Sequence, residues 1–172
     1  MRLNAAGRSP PNSEFRAAFD RMEIPSFRPA EASDALNVTE LVNAAYGPYV
    51  ERIGRPPAPM TEDSAEVIRN GRVTVADSQG DLVGVIVLAI TDEGFLIDNV
   101  AVHPNHRGTG LGRALLEFAE AEARSSGFDS IYLFTNEKMT ENLALYSRIG
   151  YIEYDRRSKG DYSLVYLRKR LS

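Results

Sequence analysis

The residues best suited to chemistry form a glycine-rich segment in the second half of the chain. Glycines at positions 108, 110 and 112 alternate with other residues directly after Arg107. Since glycine has no Cβ, such a loop lets backbone N–H groups approach a ligand closely. An apolar strand ending at Val102 precedes the loop, and an amphipathic helix with unpaired N–H groups in its first turn follows it. The segment predicts an anion site for phosphate or pyrophosphate, with a tight turn that binds nothing as the alternative.

Two common phosphate-binding motifs fit this segment poorly. A P-loop requires Gly-Lys-Ser or Gly-Lys-Thr at the start of its helix, whereas Gly112 is followed by Arg113 and Ala114. A dinucleotide fingerprint has the spacing Gly-x-Gly-x-x-Gly near the start of a βαβ unit. Here the spacing differs, and about a hundred residues precede the glycines.

The pattern Arg107-x-x-Gly110-x-Gly112, which follows Val100-Ala101-Val102 and Pro104, resembles the GNAT superfamily of acyl-CoA-dependent N-acyltransferases. The resemblance covers roughly residues 24–170 and is strongest from 95 to 151. It implies acetyl-CoA as cosubstrate, without a metal. The cofactor contacts that it implies in this region are Val100, Ala101, Val102, Arg107, Gly108, Thr109, Gly110, Leu111, Gly112 and Arg113.

A second segment extends the resemblance. Thr140 is predicted to cap a helix that Gly150 ends, with Leu145 and Ile149 facing the core. This helix looks like the GNAT helix whose tyrosine, here Tyr146, faces the CoA sulfur.

Asn142 lies four residues before Tyr146 and is expected to contact CoA as well. Many family members instead have an asparagine seven residues before that tyrosine, where this chain has Met139. The alternative for Tyr146 is a packing role in the core.

The implied reaction needs a neutral amine. Deprotonating a lysine-like amine with a pKa of about 10.4 at pH 7 costs about 4.6 kcal/mol, against about 1 kcal/mol for a peptide α-amine. Asp98 is the candidate general base, because strand alternation predicts it on one face with Leu96, Val100 and Val102. Glu137 is the rival, and a hydrogen bond from Asp98 to a neighbouring loop is the non-catalytic alternative.

In the implied reaction, the leaving sulfur and the acyl oxygen each need a hydrogen-bond donor. Tyr146, with an ordinary pKa of about 10, is protonated at pH 7 and is expected to donate to the sulfur. A backbone N–H near Val100–Val102 is expected to donate to the acyl oxygen. The amides of the pantetheine arm are expected to extend the strand along the same segment.

The resemblance places the acceptor site under the segment from Tyr46 to Met60, which is predicted to be a loop because Gly47-Pro48 ends the preceding helix. Tyr46, Tyr49 and Arg52 are the candidate acceptor-binding residues, and Arg52 or Arg55 is expected to bind a carboxylate. A loop packed by its own aromatic side chains is the alternative. The expected acceptor is an amine of a small molecule or peptide.

Composition agrees with a compact enzyme. The 172 residues suit one domain with a real core, and the net charge of −4 argues against a nucleic-acid partner. The chain has no cysteine and no apolar run long enough to span a membrane, so we expect a cytoplasmic location without membrane contact. His103 and His106 lack a third ligand at zinc-binding spacing. The oligomeric state is open, with a homodimer as one alternative.

The order of elements predicts a mixed α/β fold of the GNAT type, with a mainly antiparallel central sheet of about six to seven strands and helices on both faces. Residues 1–22 are predicted to be an N-terminal extension without the apolar region of a secretory signal, and residues 23–172 the catalytic domain. The main prediction is an N-acetyltransferase that works by direct attack in a ternary complex. The alternative is a non-catalytic, acyl-CoA-binding sensor or interaction module.

Overall fold

The central sheet of the protein matches the predicted architecture. The computed structural model describes residues 24–172, and within them seven strands form one sheet in the order β1-β2-β3-β4-β5-β7-β6. Neighbouring strands are antiparallel except for β4 and β5, which are parallel. The strands are β1 Ser26–Pro29, β2 Arg72–Ser78, β3 Asp81–Thr91, β4 Gly94–Val102, β5 Ser130–Asn136, β6 Ile152–Lys159 and β7 Tyr162–Arg170. The predicted mixed, mainly antiparallel sheet is confirmed.

Helices cover both faces of this sheet, as predicted. They are α1 Ala35–Ile53, α2 Ser64–Asn70, α3 Leu111–Ser125 and α4 Thr140–Arg148, counted within residues 24–172. Val85 of β3 packs in a cluster with α1, whereas its neighbour Ile86 packs in a larger cluster with α3. Because successive strand side chains point to opposite faces, these two clusters are the cores on either side of the sheet.

Helix α1 is longer than the sequence predicted. It continues through Gly47-Pro48 and ends at Ile53, so most of the predicted acceptor loop is helical. Proline removes one N–H donor from a helix, but its fixed φ is compatible with helical geometry. The end is set instead by Gly54, which adopts a φ of 86° and donates its N–H to the carbonyl of Val50 at 2.8 Å.

Strand β4 contains a bulge that the prediction of strict alternation missed. Leu88 of β3 pairs with Ile97, but the adjacent Val87 pairs with Asn99, which leaves Asp98 as the extra residue. The bulge reverses the alternation at this point, so Leu96 does not share a face with Val100 and Val102. The prediction that placed Leu96 and Val100 on one face is therefore wrong.

The starts of α2 and α4 are set by different residues. Helix α2 begins at Ser64, where Asp63 accepts a hydrogen bond from the Ala65 N–H at 2.9 Å. Thr140 is the first residue of α4 rather than its cap. The predicted N-terminal extension, residues 1–22, lies outside the described residues. No helix among residues 24–172 is long and apolar enough to cross a membrane.

Close packing of α3 on β3 fixes the position of the glycine-rich segment. Gly84 faces the helix, and a Cβ added there would lie 3.0 Å from Leu115 Cδ1 and 3.4 Å from Leu111 Cδ2. The absence of a side chain at Gly84 therefore lets the first turns of α3 approach the sheet closely. That approach places the glycine-rich segment beside the end of β4.

Candidate active site

The candidate site begins where two strands of the sheet separate. Strands β4 and β5 pair only through Phe95–Ile97 and Ile131–Leu133. Beyond this point β4 keeps its antiparallel partner β3, and β5 continues along β7. The second half of β4, from Asp98 to Val102, therefore has one edge without a partner strand.

The backbone groups of Val100 and Val102 face this open edge. The N–H of His103 donates to the carbonyl of Val83 on β3 at 2.9 Å. The N–H and C=O of one strand residue point the same way, and successive residues alternate. Asn99 and Ala101 therefore face β3, while Val100 and Val102 direct their N–H and C=O groups away from it. An edge of this kind offers hydrogen bonds to an extended ligand that carries amides.

A cavity of about 610 Å³ lies against this open edge and brings most of the predicted site together. Of the predicted residues, those that line it are Tyr46, Tyr49, Arg52, Val100, Ala101, Val102, Arg107, Gly108, Gly110, Gly112, Arg113, Asn142 and Tyr146. Thr109, Leu111 and Asp98 do not line it. Lining residues that the sequence reasoning missed are Ala45, Pro48, His106, Leu116, Glu141 and Leu145.

The glycine-rich segment leaves open space in front of its backbone. Gly108 and Gly110 adopt φ values of 74° and 87°, and a Cβ added at either would meet no atom within 4 Å. Gly110 caps α3, whose first N–H groups have no acceptor inside the helix. The backbone geometry and the helix N-terminus together suit a phosphate group.

Thr109 and Leu111 serve the shape of this segment. The hydroxyl of Thr109 donates to the carbonyl of His106 at 2.6 Å, which closes the turn. Leu111 is buried in the core with its side chain near Gly84. Any contact of these two residues with a ligand is therefore expected through their backbone.

The two arginines of the segment have partners within the protein. Arg107 donates from Nη2 to the carbonyl of Ala45 at 2.7 Å, which ties the segment to α1. Arg113 forms an exposed ion pair with Glu117 at 2.8 Å, one turn further along α3. Both side chains still line the cavity.

Tyr146 is buried on α4 and faces the cavity together with Asn142. Its hydroxyl forms no hydrogen bond with any residue from 24 to 172, so the donor is available to a ligand. Burial, together with nearby Tyr49, raises the pKa of Tyr146 above its ordinary value, which keeps the phenol protonated. Leu145 also lines the cavity, so the prediction that it faces the core is wrong.

Tyr46 connects helix α1 to strand β4. Its hydroxyl donates to Asn99 Oδ1 at 2.6 Å and lies 3.2 Å from the carbonyl oxygen of Val100. Burial, with Tyr146 nearby, raises its pKa well above the ordinary value. Asn99, with 8% of its surface exposed, is a site residue that the sequence reasoning missed. The one indication in the sequence is that Asn99 is a polar residue within a predicted strand.

The arginines expected to bind a carboxylate of the substrate are already paired. Arg52 Nη1 lies 2.7 Å from Glu141 on α4, and its guanidinium stacks over Tyr49 at 5.3 Å from the ring centroid. Arg55 Nη1 lies 2.7 Å from Asp161 in the turn between β6 and β7. These pairs tie the end of α1 to α4 and to the turn between β6 and β7.

Asp98 occupies the bulge of β4, and its carboxylate forms no ion pair among the described residues. Partial burial raises its pKa above the ordinary value, while the positive charge of Lys159 opposes the shift. The pKa of Glu62 is raised by its own burial and by the charge of Asp98. The rival base, Glu137, lies 3.7 Å from the guanidinium of Arg156. Asp98 is therefore the better candidate to accept a proton.

His106 lines the cavity with a buried ring nitrogen. Its Nδ1 is buried and has no hydrogen-bond partner among residues 24–172. The same residues contain no group of three or more His, Cys, Asp or Glu side chains that could hold a metal ion.

The part of the chain that carries most of this site is similar to a known protein family. Residues 69–153 match the family model described as acetyltransferase (GNAT) domain. The IAA acetyltransferase of Azospirillum brasilense is 37% identical over 84 residues, which are 48% of this chain and 55% of that protein. The chain therefore spans about half the length of this relative.

Two solved structures share the fold. The PaiA N-acetyltransferase from Thermoplasma acidophilum, in complex with coenzyme A, has a TM-score of 0.72 at 16% identity, over 87% of this chain and 99% of that one. The ribosomal-protein-S18-alanine N-acetyltransferase from Escherichia coli has a TM-score of 0.68 at 19% identity, over 87% and 95% of the two chains. At these identities the likeness shows the fold alone.

Gly112 offers a clean test of whether the glycine-rich segment binds coenzyme A. Unlike Gly110, it has no positive φ, and a Cβ there would contact only Val102 Cγ2 at 3.7 Å, between α3 and the open edge. Gly112→Val should therefore fold normally yet fill space that the ligand needs, and we expect at least about tenfold weaker coenzyme A binding by calorimetric titration. Gly47→Ala, where the added Cβ meets nothing within 4 Å, should bind like the wild type. Unchanged affinity in Gly112→Val would mean that the segment is structural only.

Proposed function

This chain is a member of the GNAT superfamily, whose family model matches residues 69–153, and on that premise we propose that it transfers an acetyl group from acetyl-CoA to a primary amine. The acceptor in this proposal is a small molecule or a peptide. One observation carries the proposal. A single cavity contains a helix N-terminus whose geometry suits a phosphate, an open strand edge and a tyrosine hydroxyl without a hydrogen-bond partner among residues 24–172.

The residues of the cavity fit acetyl-CoA as cosubstrate. The backbone N–H groups around Gly108, Gly110 and Gly112 would bind the pyrophosphate. The open-edge groups of Val102 would pair with amides of the pantetheine arm, as an added strand does. Asn142 and Arg113, which line the same cavity, would contact the cofactor from α4 and α3.

The proposed reaction moves electrons and protons between the amine, the thioester and a proton acceptor. The amine nitrogen attacks the thioester carbonyl carbon, and the carbonyl electrons move onto oxygen, where the Val100 N–H on the open edge would donate a hydrogen bond. Collapse then breaks the C–S bond, and its electron pair leaves on sulfur. The surplus proton of the amine passes to a base or to water.

Tyr146 would act on the departing sulfur as a hydrogen-bond donor. A thiol of this type titrates near about 8.5, below even an ordinary tyrosine. Because burial raises the pKa of Tyr146 further, its proton stays mainly on the phenol at equilibrium. The hydroxyl therefore stabilises developing negative charge on sulfur without completing the transfer.

Asp98 would accept the proton from the acceptor amine, directly or through water. Its raised pKa lies closer to neutrality than that of an ordinary aspartate, which makes it a better base than a fully solvated carboxylate. The acceptor would enter past Tyr49 and Arg52, since these side chains line the cavity at the end of α1.

The direct test is acetyl transfer by the purified protein. Acetyl-CoA is mixed with a panel of α-amines and lysine-like amines, and we expect release of free thiol that depends on the amine. Titration should show that coenzyme A binds more tightly than NAD, because the segment lacks the dinucleotide spacing. Tight acetyl-CoA binding without thiol release for any amine would instead indicate the non-catalytic sensor, and tighter binding of NAD would contradict the proposal.

Substitution of Tyr146 separates chemistry from binding. Tyr146→Phe keeps the ring and its packing but removes the donor, so kcat should fall about 10²–10³-fold while acetyl-CoA affinity barely changes. Tyr132→Phe is the control, because it removes another buried hydroxyl, one that bonds Thr91 at 2.6 Å. The assignment fails if Tyr146→Phe keeps wild-type turnover under conditions where chemistry limits the rate.

Substitution of Asp98 should change how the rate depends on pH. In the wild type, kcat should rise as pH increases through the raised pKa of Asp98, where the carboxylate becomes basic. In Asp98→Asn the rate should be low near neutrality and recover only as the amine itself loses its proton. That recovery should be large for lysine-like acceptors and small for α-amines.

Two further variants control this experiment. Asp92→Asn makes the same change in the exposed turn between β3 and β4 and should keep the wild-type pH profile. Glu137→Gln tests the rival base. An unchanged profile in Asp98→Asn with a shifted one in Glu137→Gln would transfer the role to Glu137.

A further inference from the structure

Resting on the proposed acetyl transfer, we propose that Tyr46 is a positioning residue that holds the backbone of Asn99 and Val100 so that the Val100 N–H is aimed at the acyl oxygen. In this assignment Tyr46 acts through strand β4 and does not bind the acceptor. The reasoning starts from the two oxygens that its hydroxyl meets.

The hydroxyl of Tyr46 bridges consecutive residues of β4. It donates to Asn99 Oδ1 at 2.6 Å and lies 3.2 Å from the Val100 carbonyl oxygen. The peptide unit that carries the Val100 N–H lies between these two points. Fixing the Asn99 side chain on one side of that unit and the Val100 carbonyl on the other restricts rotation of the N–H between them.

This part of β4 needs an external support. Its pairing with β5 ends at Ile97, and the bulge at Asp98 disturbs the pairing with β3 at the adjacent residue. Among the described residues, Tyr46 provides the one side-chain hydrogen bond to the backbone of residues 98–102. Without it, the Val100 amide would be held only by the alternate contacts of β4 to β3.

Tyr46 is itself held in place from two directions. The carbonyl of the preceding residue, Ala45, accepts a hydrogen bond from Arg107 at 2.7 Å. Arg52, further along α1, is paired with Glu141 on α4 at 2.7 Å. Helix α1 is thus anchored to the glycine-rich segment and to α4. The hydroxyl of Tyr46 therefore reaches β4 from a helix whose position is fixed. The single hydroxyl proton is shared between protein oxygens, so it is not available to an acceptor.

Tyr46→Phe tests this assignment by kinetics. Because the misaimed amide would stabilise the transition state less, kcat should fall about 10- to 100-fold, by the same factor for α-amines and lysine-like amines. The KM for the acceptor, the affinity for acetyl-CoA and the shape of the pH profile should not change. Tyr132→Phe, the matched loss of a buried hydroxyl, should leave kcat at the wild-type value. A higher acceptor KM with unchanged kcat would overturn the assignment and make Tyr46 a substrate contact.

Backbone NMR of the coenzyme A complex tests the same point without turnover. Tyr46→Phe should shift the Val100 amide resonance and speed its hydrogen exchange, whereas Tyr132→Phe should do neither. If the Val100 amide is unaffected in Tyr46→Phe, the positioning role is wrong whatever the activity. If the wild type transfers no acetyl group, the proposed function fails, while the amide measurement still decides whether Tyr46 positions Val100.

Asn99→Ala provides an independent check through a double-mutant cycle. If Tyr46 and Asn99 act as one unit on Val100, the combined variant should lose about as much kcat as either single variant. Multiplicative losses would show that the two residues act separately and would contradict the proposal.

Discussion

The candidate site depends on the loss of pairing between β4 and β5 after Ile97. A sheet normally satisfies its backbone N–H and C=O groups by strand pairing, and an open edge in mid-sheet leaves them exposed. Here the gap exposes the backbone of Val100 and Val102 beside the helix N-terminus that follows Gly110. The same gap creates the cavity and the hydrogen-bonding groups that line it.

The packing around this gap brings backbone groups together at the cavity, so the candidate site depends on few reactive side chains. Gly84 lets α3 lie close to β3, so the glycine-rich segment comes within reach of the strand edge. Helix α1 forms another wall, with Arg107 donating to its Ala45 carbonyl. Positive potential then comes from backbone amides and from Arg107, since Arg52 and Arg113 are each paired with a carboxylate of the protein.

The sequence predicted the parts of the site that depend on neighbouring residues. Gly108, Gly110 and Gly112 stand out because the turn and the helix that follows it occupy one continuous stretch, and Tyr146 because its helix resembles the corresponding GNAT helix. The parts that arise from strand pairing could not be read in this way. The bulge at Asp98 exists only through the register between β3 and β4, and a strict two-residue period therefore misplaced Leu96. Gly47-Pro48 predicts a helix end, although the chain stays helical to Ile53 and Gly54 caps the helix.

The pKa shifts divide the site into two chemical halves. Burial raises the pKa of both Tyr46 and Tyr146, so the two phenols remain protonated at neutral pH. Burial also raises the pKa of Asp98 and Glu62, but a carboxylate starts from a low value, so the shift makes these groups better proton acceptors. The same physical cause thus keeps the two phenols protonated and makes the two carboxylates more basic. Asp98 also raises the pKa of Glu62, whereas the positive charge of Lys159 lowers the pKa of both carboxyl groups, so the charge on this side of β4 is set by the three residues together.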